Sequence, residues 1–193
     1  KAFATSLKGV QSERTISDAF EQSSSGQSLV NMMELDLLVG SGGVLSHAPR
    51  RQQSARMLID AFMPEGITEL AVDSIFMMPQ LGVMANIEKE ELSEEAKKAA
   101  FEVFEKDCLI HLGTCIAPSG NAKQNSVVLT AELTLKNGNQ ETHKIQFGEL
   151  LRIEVPFEPF NVKLTPGKGL DVGAGKNEQI ETTIYGGVVG LIF

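Results

Sequence analysis

The feature that most constrains this chain is a short apolar run that breaks into a glycine loop and then continues as an amphipathic helix. Leu35 to Val39 has the length and composition of a buried strand. Gly40 to Gly43 holds three glycines in four residues, which opens backbone angles closed to other residues and lets the main chain approach a ligand closely. Pro49 suits the first position of the helix that follows. The apolar face of that helix recurs at i, i+3, i+4 and i+7, as Ala55, Leu58, Ile59 and Phe62.

An open α/β sheet presents its strand ends to ligands through this order of strand, glycine loop and helix. The loop fits neither of the common nucleotide-binding motifs. Leu45 stands where the dinucleotide fingerprint requires its third glycine, and no Lys-Ser or Lys-Thr pair follows as in a P-loop. Spacing alone therefore leaves two interpretations open, a ligand-binding loop and a tight strand-to-helix turn that binds nothing.

Long segments of the chain resemble one family. These segments are GSGGVLSHAPRRQQ, LIDAFMPEGITELAVDSIFMMPQLGVMA, DCLIHLGTCIAP and LDVGAGKNEQIETTIYGGVVGLIF, with LKGVQSERTISDAF near the start. They are similar to the C-terminal part of the MutL-type accessory proteins of adenosylcobalamin-dependent mutases, which are associated with glutamate mutase and ornithine aminomutase. That family is unrelated to the mismatch-repair protein of the same name. The similarity extends over nearly all 193 residues, and the N-terminal segment is closest to the ornithine-degradation branch.

The resemblance implies an actin-like fold, as in the sugar kinase and Hsp70 superfamily, with this chain as the second lobe. It implies an ATP-dependent accessory protein that assembles or reactivates the mutase, with ATP or ADP and Mg²⁺ bound in the full-length protein and mutase subunits as partners. Phosphate-holding and catalytic residues would lie mainly in the first lobe, so this chain alone is expected to hydrolyse ATP negligibly. The residues that the resemblance places at adenosine are Gly40, Ser41, Gly42, Gly43 and Ser46.

Two other functions are kept as hypotheses. In the first, the β-rich part from about Lys123 docks a mutase subunit without nucleotide, and the glycine loop is only a turn. In the second, the chain is related to the actin-like activators of acyl-CoA dehydratases, which hold an iron–sulfur cluster between subunits. Cys108 and Cys115 are then the only candidate ligands.

Composition and charge narrow the choice of function. The formal net charge is −8 and no basic patch is visible, which disfavours nucleic acid as a partner. No run approaches the roughly 18 apolar residues that span a bilayer, and no signal peptide is present. The two cysteines lack the spacing of a zinc site, so we expect free, buried thiols in the reducing cytoplasm and no metal site. Whether the chain forms a homo-oligomer stays open.

The apolar pattern predicts an α/β lobe over residues 1–122 and a β-rich domain over residues 123–193. The lobe includes a helix capped by Ser12 and another capped by Ser93. The domain alternates apolar and polar residues, with a two-residue turn at Asn137 and Gly138, which favours an antiparallel sandwich or barrel. Because the chain starts without methionine and stops inside an apolar run, we expect a piece of a longer protein, truncated at its C-terminus. The predicted buried face of the Ser93 helix is Ala96, Ala99, Ala100, Val103 and Phe104.

Several polar side chains are weaker candidates for a site. Asp36 and Asp73 lie in strand-like segments, where a carboxylate can orient a magnesium-bound water or a ribose hydroxyl, although capping of a neighbouring backbone group is the preferred interpretation. The three histidines, His47, His111 and His143, are far apart in sequence without an obvious carboxylate partner. The sequence therefore predicts no acid/base pair.

The remaining clusters have plain interpretations. Arg50, Arg51 and Arg56 are interpreted as a solvated helix face, with nucleotide or partner contact as the alternative. Within the cluster Gly167 to Gly175, the run from Asp171 to Gly175 has a faint likeness to the Asp-x-Gly phosphate loop of actin-like ATPases, but successive glycines are typical of a turn. The residues interpreted as core filler rather than a partner surface are Met77, Met78, Leu81 and Met84.

Overall fold

The fold consists of two β-sheets packed face to face, with the helix Arg51–Phe62 on the far side of the first sheet. The computed structural model describes residues 31–87, 93–136 and 138–193. The predicted helix after Ser12 therefore lies outside the described residues. Within these ranges every helix is too short or too polar to cross a bilayer.

The helices and strands follow one another with short connections. A 3₁₀ turn at Met32–Glu34 precedes the first strand, and a π-helical turn at Phe104–Cys108 leads into the third. In chain order the elements are β1 Leu37–Gly40, α1 Gly43–Ser46, α2 Arg51–Phe62, β2 Gly66–Asp73, α3 Met78–Asn86, α4 Glu94–Val103, β3 Leu109–Ala117, β4 Val127–Thr134, β5 Gln140–Gln146, β6 Arg152–Ile153, β7 Pro159–Pro166, β8 Ile180–Tyr185 and β9 Gly190–Ile192.

The first sheet has the order β1-β2-β3-β9-β6, and the second has the order β5-β4-β7-β8. In the first sheet β1 and β2 run parallel, as do β3 and β9, while the second sheet is antiparallel throughout. This mixed architecture confirms the α/β plus β-rich class. Strands β6 and β9 pair back into the first sheet, so strands from both sides of the predicted boundary at residues 122 and 123 share it. The second sheet covers the open face of the first rather than closing into a barrel of its own, because both sheets contribute to one core.

The β1–α2–β2 unit forms as the sequence predicts. Parallel strands need a crossover connection, and α2 supplies it. Ala55 and Leu58 are fully buried against the first sheet, and Ile59 and Phe62 are partly buried there. Burying a leucine side chain such as that of Leu58 contributes roughly 2 kcal/mol. The helix begins two residues later than expected, at Arg51, with Arg50 at the N-cap and Pro49 just outside.

Gly113 marks the point where three strands meet. The register between β2 and β3 shifts by one residue beside it, which is a β-bulge. Gly113 has φ +142°, and a Cβ added there would lie 1.9 Å from the carbonyl oxygen of Gly190. Only glycine allows β3 and β9 to approach this closely.

The helical hairpin α3–α4 is less buried than its sequence predicts. Ser93 does cap α4, since its hydroxyl oxygen accepts the N–H of Ala96 at 3.3 Å. The predicted buried face of α4 is wrong for Ala99 and Val103, which are exposed, because α3 and α4 pack on each other and on the π-helical turn rather than on the sheet. Their small cluster is Leu81, Ala100 and Cys108, with Met77 and Phe104 partly buried against it. Val103, Met78 and Met84 are instead 43%, 37% and 41% exposed, so these two methionines do not fill a core.

The predicted hairpin between β4 and β5 is present, but its loop is one residue longer than the predicted two-residue turn. Leu135 donates its N–H to the carbonyl of Asn139 at 3.0 Å, so the strands close one position outside the predicted two-residue turn. Gly138 has φ +83°, a conformation that favours glycine in such a loop. Asn137, the other predicted turn residue, lies outside the described residues.

Candidate functional site at the carboxyl edge of the first sheet

The glycine loop leaves the carboxyl end of β1 beside the carboxyl end of β2. The parallel register pairs Leu37 with Glu69 and Gly40 with Val72, so the loop and the residues after Asp73 lie at the same edge. Ligands of open α/β sheets bind at this edge. The local fold therefore brings the predicted loop to the edge where a ligand is expected.

The loop has an open part and a packed part. A Cβ added at Gly42 or Gly43 would meet nothing within 4 Å, and Val44 is 75% exposed. Gly42 has φ +104°, which favours glycine. Gly40 differs, because a Cβ there would lie 2.9 Å from a side-chain carbon of Leu45. Gly40 thus permits packing beneath the loop, whereas Gly42 and Gly43 offer bare backbone to the solvent.

Asp73 holds the loop from the end of the neighbouring strand. Its side chain is fully buried, and its Oδ2 accepts the Ser41 hydroxyl at 3.1 Å. Its backbone carbonyl accepts the hydroxyl of Ser46, which is itself buried. Ser41 is therefore half-buried in the loop. Ser46 is buried beneath the loop, and its hydroxyl bonds to Asp73 rather than facing the solvent.

Asp73 also begins the next helix. Its Oδ1 accepts the N–H of Met77 at 3.0 Å, and its Oδ2 accepts the N–H of Met78 at 2.8 Å. The capping interpretation of Asp73 is thereby confirmed. Burial by itself would raise the pKa of Asp73, but hydrogen bonds from Met78, Met77 and Ser41 outweigh it and hold the pKa below its usual value.

The second carboxylate candidate lies elsewhere. Asp36 precedes β1, at the end of the parallel pair opposite to Asp73, and is exposed. Its backbone carbonyl accepts the N–H of Glu69 at 2.8 Å. The structure therefore does not bring Asp36 and Asp73 together as ligands of one magnesium ion.

The arginines near the loop have structural partners. Arg51 donates to the backbone carbonyl of Ser46 at 2.9 Å and so closes the end of α1. Arg56 lies 3.6 Å from Asp60 on the solvent side of α2, with a side chain 75% exposed. Arg56 therefore lies on a solvated helix face, as the sequence predicts, whereas Arg51 is half-buried and bound to the end of α1.

An acid–imidazole pair lies on the other face of the first sheet, and the sequence interpretation missed it. Nδ1 of His111 on β3 contacts Oε1 of Glu69 on β2, and the ring of Tyr185 meets the imidazole edge-on at 5.3 Å. A cavity of about 280 Å³ adjoins the pair and is lined by Asp36, Glu69, Thr114 and Tyr185 among others. Burial raises the pKa of Tyr185, and the charge of Glu69 adds to the shift.

The prediction that no histidine has a carboxylate partner is thus wrong for His111. It is also wrong for His143, whose Nε2 lies 3.1 Å from Glu141. The Glu69 and His111 partners are 42 residues apart and meet only through strand register, which leaves no local signal. His47 follows α1 as an exposed cap residue, in keeping with a turn histidine.

The second glycine cluster is a turn. Oδ1 of Asp171 accepts the N–H of Gly173 at 2.8 Å and that of Gly175 at 3.0 Å, which is an Asx-type arrangement within the loop. Because the carboxylate binds its own loop, the turn interpretation of Gly167 to Gly175 is confirmed.

The two thiols do not form a ligand pair. Cys108 packs with the α3–α4 hairpin, and Cys115 packs between α2 and the first sheet. Both are buried and free. Across the described parts of the chain, no group of three or more His, Cys, Asp or Glu side chains is arranged to hold a metal ion.

Comparison with known proteins adds one finding. The family model described as MutL protein matches residues 7–108, just over half of the 193 residues. The chain belongs to the MutL protein family. The matched range includes the glycine loop, Asp73 and the α3–α4 hairpin, and it ends where β3 begins. No curated protein and no solved structure matches this MutL family chain. Membership points to an accessory protein of mutase enzymes.

Proposed function

We propose that this chain supplies the adenosine-binding lobe of an ATP-dependent accessory protein that assembles or reactivates an adenosylcobalamin-dependent aminomutase in the cytoplasm. In this proposal the lobe is actin-like, and ATP or ADP with Mg²⁺ binds between it and a first lobe. Binding and hydrolysis then shift the protein between two arrangements that differ in affinity for the mutase. The glutamate and ornithine systems are the proposed clients.

The observation that supports this proposal is the open backbone of Gly42 and Gly43 at the carboxyl edge of a parallel strand pair. A purine nucleoside needs a flat surface that it can approach closely, and side chains would hold it off. Ser41 and Gly40 keep the loop in place through Asp73 and the α2 core, so the surface is preformed. Preformed sites lose less entropy on binding.

Calorimetric titration of the chain with ATP and ADP tests this proposal. Gly43→Val places a side chain over the open backbone without an initial clash, because a Cβ at residue 43 meets nothing within 4 Å. We expect the variant to keep the wild-type melting temperature and to bind nucleotide at least about tenfold more weakly, since about 1.4 kcal/mol of lost contact suffices.

Gly82→Ala is the matched control, because residue 82 also has open space around its Cβ but lies in α3. It should bind nucleotide as the wild type does. A wild-type chain that binds neither ATP nor ADP at millimolar concentration would refute the proposed site, and so would equal affinity of wild type and Gly43→Val.

The alternative function is a docking module that binds the mutase without nucleotide. The observation that favours it is that several large apolar side chains of the β-rich part are individually exposed, and exposed apolar residues can contribute to partner binding. Titration with a purified aminomutase in the presence and absence of ATP separates the two functions, because the docking module predicts the same affinity in both. The exposed apolar side chains that favour this alternative are Phe147, Leu150 and Phe157, with exposed fractions of 51%, 62% and 57%.

A further inference from the structure

The buried carboxylate of Asp73 is hydrogen-bonded both to the glycine loop and to the first turn of helix α3. Oδ2 of Asp73 accepts two hydrogen bonds, from the hydroxyl of Ser41 in the loop and from the N–H of Met78 at the start of α3. Oδ1 is occupied by the N–H of Met77. The loop and the first turn of α3 therefore share a single acceptor atom.

Two donors on one oxygen compete for its negative charge. Hydrogen bonds to a carboxylate are strong because of that charge, so removal of one donor strengthens the bond that the other donor makes. Asp73 would keep its place without Ser41, since the N–H groups of Met77 and Met78 still hold both of its oxygens. Loss of the Ser41 bond is thus expected to tighten the start of α3.

A ligand on the loop can reach Ser41 directly, but it cannot reach the carboxylate of Asp73. The Ser41 side chain is partly exposed next to Gly42, whereas Asp73 has no exposed surface. A bound nucleotide offers Ser41 ribose and phosphate oxygens as alternative acceptors. Asp73 itself stays out of contact with the ligand.

We propose that Asp73 is a positioning residue that couples the glycine loop to helix α3. A nucleotide that draws the Ser41 hydroxyl away from Oδ2 strengthens the bond from Met78 and stiffens the first turn of α3. Because α3 packs on α4 around Leu81 and Ala100, the nucleotide state reaches the whole helical hairpin. This inference rests on the proposed nucleotide binding at the loop.

Residue-resolved hydrogen exchange, measured by NMR on the complete chain, tests the coupling. Ser41→Ala removes the hydroxyl permanently and so imitates the bound state. We expect the Met78 amide to exchange about two- to fivefold more slowly in this variant, which corresponds to part of one hydrogen bond. Saturating ADP should slow the same amide in the wild type and have no further effect on it in Ser41→Ala.

Ser54→Ala is the matched control. Ser54 is fully buried and donates to the backbone carbonyl of Leu45 at 2.9 Å, so its loss removes a bond to α1 but none of the bonds to the Asp73 carboxylate. The Met78 amide should exchange at the wild-type rate in this variant. Equal slowing in Ser54→Ala and Ser41→Ala would overturn the coupling, because a substitution that leaves the bonds of the Asp73 carboxylate intact would then have the same effect.

The remaining outcomes separate the coupling from the proposed function. An unchanged or faster Met78 amide in Ser41→Ala overturns the coupling, whatever ADP does. ADP that binds the wild type without slowing Met78 overturns the coupling and leaves the nucleotide site standing. A slower amide in Ser41→Ala together with no ADP binding supports the contact between loop and helix, and overturns both its control by nucleotide and the proposed function.

Discussion

Substitution of Asp73 by asparagine tests the role of this carboxylate in stability. The side chain is fully buried and accepts hydrogen bonds from Ser41, Met77 and Met78. Asparagine has the same shape but only one acceptor oxygen, so at least one N–H then faces an NH₂ group. An unsatisfied buried donor costs about 1–3 kcal/mol, and the remaining hydrogen bonds are weaker because their acceptor is no longer charged. We expect Asp73→Asn to lower the free energy of unfolding by about 2–4 kcal/mol.

The assay is urea denaturation at pH 7 followed by far-UV circular dichroism, since the chain contains no tryptophan. Asp36→Asn is the control, because Asp36 is exposed and lies at the other end of the parallel pair. Its free energy of unfolding should stay within about 0.5 kcal/mol of the wild type. A loss of less than about 1 kcal/mol in Asp73→Asn would refute the hydrogen-bond argument.

The pH dependence gives an independent check. The pKa of Asp73 is lowered in the folded chain, so the native state binds this proton more weakly than the unfolded state does. Its stabilising contribution is complete above the unfolded pKa of about 3.9 and is lost as the pH falls through the folded pKa. The difference between wild type and Asp73→Asn should therefore shrink in acid. A difference that stays constant from pH 7 down to the acid transition contradicts this reasoning.

Three further predictions concern packing and thiol chemistry. Gly113→Ala should lower the free energy of unfolding by about 3 kcal/mol or more, or prevent folding, because its Cβ would lie 1.9 Å from a carbonyl oxygen of β9; wild-type stability in urea would disprove the close approach. Leu58→Ala should cost about 2–5 kcal/mol in the same assay, whereas Val83→Ala, at a side chain 65% exposed, should change it by about 0.5 kcal/mol at most. Burial raises the pKa of Cys115 to about 12 and also raises that of Cys108, so neither thiol should be alkylated at pH 8 in the folded chain. Mass spectrometry should find both modified only in urea, and rapid labelling without denaturant would contradict their burial.

The β1–α2–β2 unit was predictable because its signals are local. The apolar period of α2 and the glycines after β1 act within a few residues, and both the strand and the helix form within two residues of the predicted bounds. The buried face of α4 was not predictable in the same way. Its apolar period is genuine, but Val103 stays exposed because the hairpin has no sheet beneath it.

The candidate site likewise combines features that follow from local sequence with features that depend on distant residues. The open loop at Gly42 and Gly43 follows from the glycine run, whereas the clamp by Asp73 depends on a neighbour 32 residues away from Ser41. The pair of Glu69 and His111 depends on register in the same manner. A one-residue slip of β2 would send Glu69 and Asp73 to the opposite face of the sheet.

The sequence by itself therefore determined the elements, the bare loop and the family, since periodicity, glycine conformations and matching segments are all carried by consecutive residues. Only the tertiary structure decided which side chains meet. Strand pairing brings together residues that are distant in the chain, and its register is set by how two whole sheets pack. That packing put Asp73 between the loop and α3, and it returned β6 and β9 to the first sheet.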